Sequence, residues 1–318
     1  MTSGGRSALA VQVAGLDFQN PVVLAAGTAA YGRELAEVVK LPALGGLVTK
    51  AVSAEPRAGA PAPRVAEFDG GMINAVGLAN PGVDGVRRDH LPWLATALPT
   101  VRKIANVVGF TVEEFGGVIE RLEDSLGTTA VGALDGYELN VSCPNVKKGG
   151  AEFGADPAAL AEVIRQARRA TRRPLFVKLS PTLPDIARSA GIAVDAGADA
   201  LTLVNTIPGL VIDVERRRPA LGFGTGGVSG AALLPVGVLA TWKVHRAVSV
   251  PLLGVGGVRS AEDALQYILA GASLVGIGTA TLRDPRAPER VVRDLGRWCA
   301  RHRVSDLREL VGSLEVAT

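Results

Sequence analysis

The sequence predicts an α/β fold: a single (β/α)8 TIM barrel spanning residues 1–318, with inserted loops over its C-terminal face. Three observations support this. Apolar segments of strand length alternate with helix-length segments along almost the whole chain, as in a parallel sheet covered by helices. The strand centres are mostly Val, Leu, Ile and Ala, as expected for strands buried on both faces. No G-x-G-x-x-G fingerprint opens an early βα unit, which favours a closed barrel over a doubly wound dinucleotide-binding sheet.

Eight apolar runs supply the predicted strands, and helical patterns lie between them. Asp156 and Ser260 stand where helix N-caps are expected, and Pro157 follows at the first helical position. Gly197 and Gly271 stand where helices are expected to end. The predicted strands are 22–27, 46–50, 104–109, 137–142, 175–179, 200–205, 252–256 and 274–278, and the predicted helices include 156–170, 183–196, 231–248, 261–270 and 291–301.

Two long insertions follow the second and the sixth predicted strands, at 51–82 and 206–227. Both are rich in Gly, Pro and Arg, which is typical of loops. Loops at the C-terminal ends of barrel strands build the active face of such enzymes. We therefore expect these two insertions to cover a site at the barrel mouth.

Composition argues against several function classes. The net charge is only +3, and basic residues are scattered among acidic ones, which argues against a dedicated nucleic-acid surface. No apolar run reaches the roughly 18 residues of a membrane span. Residues 1–8 are polar and lack the apolar region of a signal peptide. We therefore expect a cytoplasmic protein that binds neither nucleic acid nor membrane.

The chain has two cysteines, Cys143 and Cys299. Two thiols cannot form a disulfide framework, and an iron–sulfur cluster normally needs four ligands, so we expect no metal site. Cys299 lies in the amphipathic pattern at 291–301 and is interpreted as an inert core thiol. Cys143 instead lies between Ser142 and Pro144, at the end of an apolar strand.

Polar residues recur at the predicted C-terminal strand ends. Because parallel barrel strands all end at the same mouth, these side chains are expected to meet there. The two lysines among them favour a guest that is negatively charged, such as a carboxylate, a phosphate or a reduced flavin. The residues are Lys50, Asn106, Asn140, Lys178, Asn205 and Thr206.

Glycine pairs end the last two predicted strands, in Gly254-Val-Gly256-Gly257 and Gly276-Ile-Gly278-Thr279. Loops at these positions of a barrel often bind phosphate through backbone N–H groups. The pattern alone indicates a phosphorylated ligand, and FMN, a sugar phosphate and pyridoxal phosphate fit it equally well.

The run Glu138-Leu-Asn140-Val-Ser142-Cys143-Pro144-Asn145 resembles the ELN(V/I)SCPN motif of the class 1 dihydroorotate dehydrogenases. Further motifs of that family recur in the same order along nearly the whole chain. They are Thr49-Lys50, the loop 74–82 (similar to NAIGLQNPG), 177–181 (VKLSP), Val204-Asn205-Thr206, 227–230, Gly256-Gly257 and Gly278-Thr279.

The resemblance implies FMN-dependent oxidation of dihydroorotate to orotate in pyrimidine biosynthesis. Cys143 would remove the C5 proton while the flavin takes the C6 hydride. The implied substrate-binding residues are Lys50, Asn74, Ala75, Val76, Gly77, Leu78, Asn140, Asn205 and Thr206. The implied FMN-binding residues are Ala26, Gly27, Lys50, Ala51, Asn106, Asn140, Lys178, Val204, Gly230, Gly256, Gly257, Gly278 and Thr279.

Within class 1, the loop at 74–82 is more similar to class 1B than to class 1A. That likeness implies a separate electron-transfer subunit that carries FAD and a 2Fe–2S cluster, and we further expect a homodimer core. Two positions depart from the family pattern. Ala26 stands where the family has serine, and Ala51 stands where it has glycine, so the contacts to FMN are expected to differ there.

Three other functions remain open from the sequence. The barrel could be a flavin-free lyase or isomerase of a sugar phosphate. It could be a catalytically silent binding subunit. It could also be a related flavoenzyme that oxidises another dihydropyrimidine. The colour of the purified protein separates the flavin-free enzyme from the others, and bleaching of that colour by dihydroorotate separates the silent barrel.

Overall fold

The computed structural model describes residues 7–142, 144–145 and 151–315. The strands are β1 (Val11–Val13), β2 (Leu16–Phe18), β3 (Val22–Leu24), β4 (Gly46–Val48), β5 (Val65–Phe68), β6 (Gly71–Asn74), β7 (Arg102–Val107), β8 (Gly136–Asn140), β9 (Pro144–Asn145), β10 (Ala151–Glu152), β11 (Leu175–Leu179), β12 (Ala200–Leu203), β13 (Ile207–Gly209), β14 (Ile212–Asp213), β15 (Arg218–Pro219), β16 (Gly226–Ser229), β17 (Leu252–Val255) and β18 (Leu274–Ile277). The α-helices are α1 (Gly82–Asp89), α2 (Leu91–Ala97), α3 (Val112–Leu126), α4 (Pro157–Ala170), α5 (Ile186–Asp195), α6 (Leu234–His245), α7 (Ala261–Leu269), α8 (Thr279–Arg283) and α9 (Ala287–His302).

A closed barrel of parallel strands forms the centre of the molecule, which confirms the predicted TIM barrel. Around the barrel the strands run β3, β4, β7, β8, β11, β12, β17 and β18, and β18 pairs with β3 to close the ring. The predicted strands begin within two residues of the observed ones, but most extend one to three residues too far. The extra residues follow the last hydrogen-bonded residue of each strand and lie at the barrel mouth. The polar side chains that were predicted to meet lie at this same end of the barrel.

The barrel interior is filled near its amino end. Phe176 and Leu253 project into a buried apolar cluster to which the hairpin β1–β2 contributes Val11 and Phe18. The hairpin therefore closes the bottom of the barrel with apolar side chains, and the barrel is a packed core rather than a channel. The open end is the carboxyl end of the strands.

The helices that cover the barrel are held by the predicted caps. Asp156 accepts hydrogen bonds from the backbone of Ala158 and Ala159, and Ser260 forms a capping box with Asp263. One helix prediction differs in its start, and the prediction for Cys299 is confirmed. The helix expected from residue 231 begins as a 3-10 turn, Ala231–Leu233, because Pro235 stands in the first turn of α6. Cys299 is buried in α9, as predicted.

The first connection, between β3 and β4, contains two short 3-10 helices, Arg33–Leu35 and Leu41–Ala43, in place of an α-helix. None of the described helices combines the length and the apolar character needed to cross a membrane.

The two long insertions were predicted as loops and are more ordered than that. They join in one antiparallel sheet with strand order β13-β16-β6-β5, which lies over the barrel mouth. Gly227 pairs with Asn74 in this sheet, so the insertions hold each other. A Cβ at Gly227 would collide with the side chain of Thr206, which precedes β13, so only glycine fits at this position.

Candidate active site

A cavity of 730 Å³ lies between the carboxyl ends of the barrel strands and the sheet above them. A volume of this size suits a cofactor together with a small substrate. All six polar residues predicted to meet at the mouth line this cavity: Lys50, Asn106, Asn140, Lys178, Asn205 and Thr206. The convergence expected from their place at strand ends is therefore confirmed.

The loop that follows β6 forms one wall of the cavity. Residues Asn74 to Leu78 all line it, as do Ala26, Gly27 and Ala51 from the first two barrel connections. The loop is held against the earlier part of the same insertion by two backbone bonds, from Ala75 N to Arg64 O (2.8 Å) and from Ala60 N to Val76 O (3.1 Å). The position of this wall is therefore fixed by the insertion itself.

Asn205 orders the polar groups on the opposite wall. Its Nδ2 donates to Oδ1 of Asn140 (3.2 Å) and to Oγ of Ser142 (3.0 Å), and its Oδ1 accepts from the backbone N–H of Thr206 (2.9 Å). Because the carbonyl oxygen of Asn140 is engaged in this way, its NH2 group is the part left to donate to a guest.

A second polar group lies under the cavity floor. Asn106 Nδ2 donates to Oε1 of Glu138 (2.7 Å), and Thr202 Oγ1 donates to Oε2 of the same carboxylate (2.7 Å). All three residues are about 1% exposed. Asn106 also reaches the cavity, so the buried carboxylate is joined to the site through one amide.

Two lysines give the cavity its positive charge. Lys178 is only 8% exposed, and no described residue forms a hydrogen bond or ion pair with its ammonium group. Lys50 is half-buried on the other side of the mouth. A buried cation without a protein partner costs free energy unless a guest supplies the negative charge. The cavity is therefore built for an anionic or electron-rich ligand.

The predicted phosphate-binding residues form a neighbouring cluster outside the lining of this cavity. Thr279 Oγ1 donates to Oγ of Ser229 (2.8 Å), which brings the end of β18 to the end of β16. Gly257 has a φ of 76°, and a Cβ there would lie 2.6 Å from Leu234 N. The cluster also holds Gly230, Gly256 and Gly278, and Val204 is buried after β12.

Cys143, the predicted base, lies outside the described residues. The residue before it, Ser142, lines the cavity and is bonded to Asn205. The chain therefore reaches the cavity wall at position 142.

Sequence reasoning missed several residues that line the cavity. The guanidinium of Arg57 stacks 4.2 Å from the ring centroid of Phe110, and both line the cavity together with Phe223. No motif marks them, although Phe110 directly follows the predicted strand 104–109. Glu152 also lines the cavity, and burial raises the pKa of its carboxyl group, which a hydrogen bond to Ser180 partly offsets. Its position shortly after the Cys143 motif was the one available signal.

Comparison with known proteins identifies relatives over the full chain. The model of the family described as dihydroorotate dehydrogenase matches residues 8–298. Three relatives are each named dihydroorotate dehydrogenase B (NAD(+)), catalytic subunit. The one from Geotalea daltonii is 45% identical over 308 residues, covering 97% of this chain and 98% of the relative. The one from Pelobacter propionicus is 46% identical over 307 residues (96% and 98%). The one from Desulforudis audaxviator is 49% identical over 304 residues (96% of each).

Proposed function

The chain belongs to the dihydroorotate dehydrogenase family, and from this membership we propose that it oxidises dihydroorotate to orotate with bound FMN in pyrimidine biosynthesis. The observation that carries the proposal is the cavity itself. It combines a buried lysine that has no partner in the described part of the chain, a set of amides with fixed polarity and the end of the strand that leads to Cys143. A sugar-phosphate enzyme or a silent barrel does not require this combination.

The residues present fit FMN. Lys178 is a buried residue whose ammonium lacks a protein partner among the described residues. Gly256 and Gly257 after β17 let Leu233 and Leu234 approach closely, in the loop position where barrels bind phosphate through backbone N–H groups. FMN supplies a two-electron acceptor when bound. Lys178 would stabilise negative charge on the reduced ring, and Asn106 would hold the ring edge. Ala26, Gly27, Ala51, Gly230, Gly256, Gly257, Gly278, Thr279, Val204 and Asn140 complete the proposed cofactor set.

The substrate would lie against the loop 74–78 and the Asn205 network. Asn74 Nδ2 donates to the backbone oxygen of Gly227 (3.2 Å), so its Oδ1 is left to accept from a pyrimidine N–H. The NH2 of Asn140 is left to donate to a ring carbonyl. Lys50 would pair with the carboxylate, which the flavin lacks.

Cys143 would remove the C5 proton of dihydroorotate. A thiol has an unperturbed pKa of about 8.5, so at neutral pH only part of it is the thiolate that acts as base. The rate of the reductive half-reaction should therefore rise with pH. The support for this role is the family motif and the position of Ser142 in the cavity wall.

Anaerobic bleaching tests the proposal. The purified full-length chain should be yellow, and dihydroorotate without oxygen should bleach it within the turnover time. A colourless protein that binds no added FMN would favour the flavin-free barrel. A yellow protein that dihydroorotate leaves unbleached, but that another dihydropyrimidine bleaches, would move the substrate to that compound.

The relatives' names describe catalytic subunits of an NAD-linked enzyme, and we extend this to a separate electron-transfer subunit with FAD and a 2Fe–2S cluster. The chain alone should then reduce an artificial dye and neither NAD nor fumarate. Rapid NAD reduction without an added subunit would contradict the partner, and rapid fumarate reduction would indicate the class 1A mode. The homodimer core and the cytoplasmic location stay predictions.

A further inference from the structure

Glu138 and Thr202 have no role in the chemistry described above, although they are buried beneath the cavity and Glu138 is bonded to Asn106, which lines it. Asn106 lies on β7, Glu138 on β8 and Thr202 on β12, and Glu138 pairs with Asn106 across the ladder. The carboxylate receives one hydrogen bond at each oxygen, both of 2.7 Å. Burying a carboxylate is costly unless its hydrogen bonds compensate. A core that needed only packing would be served as well by an apolar side chain.

The carboxylate determines which end of the Asn106 amide faces the cavity. An ionised carboxylate can only accept hydrogen bonds, so the amide must turn its NH2 group toward Glu138. The carbonyl oxygen of Asn106 is then the group left for the cavity. The backbone of Asn106 is also held, because its N–H donates to Thr49 Oγ1 (3.2 Å) and its carbonyl oxygen accepts from Val52 N (2.8 Å). Glu138 therefore fixes which end of the Asn106 amide faces the cavity, and the backbone bonds of β7 fix where Asn106 lies.

We propose that Glu138 is a positioning residue that fixes the Asn106 amide with its carbonyl oxygen toward the cavity, where it accepts a hydrogen bond from a ring N–H of the bound cofactor. Thr202 assists by holding the second carboxylate oxygen. The identity of the ring rests on the proposed function. Oxidised FMN has a single ring N–H, at N3, so N3–H is the group that this acceptor would select.

The conservative variant Glu138→Gln should invert the polarity. Where the carbonyl oxygen of the new side chain accepts from Thr202, as Oε2 of the carboxylate does, its NH2 group lies against Asn106. Asn106 must then turn its own oxygen toward position 138 and its NH2 toward the cavity, where it would meet another donor. The reverse orientation, in which that NH2 group donates to Thr202 Oγ1, would leave Asn106 unturned, so the double variant below decides. The side chain keeps nearly the same volume, so the change alters hydrogen-bond direction and removes one negative charge.

The reciprocal double variant E138Q/N106D should restore the original polarity. It exchanges the acid and the amide between the two positions and conserves both the atoms and the charge of the group. Position 138 would then donate to the new carboxylate, and a carboxylate oxygen would again face the cavity as an acceptor. Asn106→Asp alone would place two carboxylates in contact and should be worse than the double variant.

The test compares FMN with 3-methyl-FMN, which lacks the N3–H donor. Each full-length holoprotein releases FMN on dilution, followed by FMN fluorescence, and 3-methyl-FMN is exchanged into the same proteins by dialysis. We expect the wild type to bind FMN about tenfold more tightly than the analogue, the value of roughly one hydrogen bond. Glu138→Gln should lose that preference by weakening FMN alone. The double variant should recover the preference.

Thr202→Val is the matched control, because it removes one bond to the carboxylate and leaves the bond to Asn106. It should retain the preference for FMN. A purely structural role for Glu138 would weaken FMN and the analogue equally, and that result would overturn the proposal. So would a double variant that shows no preference for FMN. If Glu138→Gln yields no folded protein, the preference of the double variant alone decides.

This test is separable from that of the proposed function. A wild type that prefers FMN over the analogue but is not bleached by dihydroorotate would leave Glu138 in its role and remove the substrate. A wild type that dihydroorotate bleaches normally but that binds the two flavins with equal affinity would support the substrate and remove the role of Glu138.

Discussion

Two buried lysines show how differently the two ends of this barrel use the same residue. Lys103 is 4% exposed near the amino end of β7, and Lys178 is 8% exposed near the carboxyl end of β11. The ammonium of Lys103 donates to the backbone oxygens of Leu94 (3.4 Å), Leu98 (3.2 Å) and Gly132 (2.8 Å). The ammonium of Lys178 has no such partner among the described residues. The ammonium of Lys103 is therefore satisfied by backbone groups of the fold, whereas the ammonium of Lys178 is left to bind a ligand.

Two asparagines show the same difference between the bottom of the barrel and its mouth. At the bottom of the barrel, Asn20 donates to Ala43 O (2.9 Å) and accepts from the N–H groups of Val22 and Gly45 (both 3.1 Å), so both ends of its amide serve the backbone. At the mouth, Asn140 has its oxygen engaged and its NH2 group left for a guest. Polar groups at the base therefore contribute to stability, and those at the mouth are oriented but left incomplete.

The largest effect that this contrast predicts is at Cys143. Cys143→Ser should keep FMN and orotate bound but reduce the flavin at least about a hundredfold more slowly at pH 7, because a serine hydroxyl is far less acidic. Stopped-flow bleaching by dihydroorotate at several pH values measures this. The melting temperature should stay within about two degrees of the wild type. A variant as fast as the wild type at neutral pH would remove Cys143 from the mechanism.

The next largest effect is expected at Lys103, near the amino end of the barrel. Lys103→Met should destabilise the protein by about 3 kcal/mol, because three carbonyl groups lose their donor. Burial lowers the pKa of the Lys103 ammonium, and the nearby Asp135 opposes that shift. Because the buried charge itself costs free energy, removing it offsets part of the lost stability. Chemical denaturation measures the stability. The potential of bound FMN should not change. A shift in that potential would mean that the base is coupled to the site, and the contrast between the two ends would fail.

Lys178→Met is the matched change at the mouth, with the opposite signature. Reduced FMN should lose about tenfold of its affinity relative to oxidised FMN, so that the bound potential falls. Stability without the cofactor should be equal to or above that of the wild type, because an unpaired buried cation is removed. Spectroelectrochemistry and denaturation of the same preparation give both values. An unchanged potential with FMN fully bound would contradict the assigned charge role.

The sequence predicted the barrel well because buried parallel strands leave a simple pattern. Runs such as 22–27 and 252–256 are apolar throughout, and the order of strands in a barrel follows the order in the chain. Residues at the strand ends were predicted to meet for the same reason. The sheet over the mouth was missed because β5, β6, β13 and β16 are short and lack a regular apolar alternation, and because β6, β13 and β16 contain glycine. Their pairing depends on the barrel that brings the two insertions together.

The polar group under the cavity floor could not be predicted from the sequence either. Glu138 was part of a recognised motif, but nothing in the sequence shows that its side chain points into the barrel toward Asn106 and Thr202. Those three residues come from separate strands and meet only after the barrel closes. Arg57 and Phe110 are likewise distant in sequence, and their stacking depends on the fold of the first insertion.

The smallest effect expected is at Glu152, the carboxylate of the cavity wall. Burial raises its pKa, so between its unfolded and folded pKa values the folded protein binds more protons, and wild-type stability falls as pH rises through that window. Glu152→Gln should match the wild type in acid and become more stable above the window by a few tenths of a kcal/mol, since the side chain is only partly buried. Thermal melts from about pH 4 to pH 8 follow the difference. Glu37→Gln, at an exposed position in the first connection, controls for the loss of one negative charge. If Glu152 instead stabilised the fold, as polar groups at the barrel base do, the wild type would be the more stable protein at neutral pH, and the contrast would not extend to this side chain.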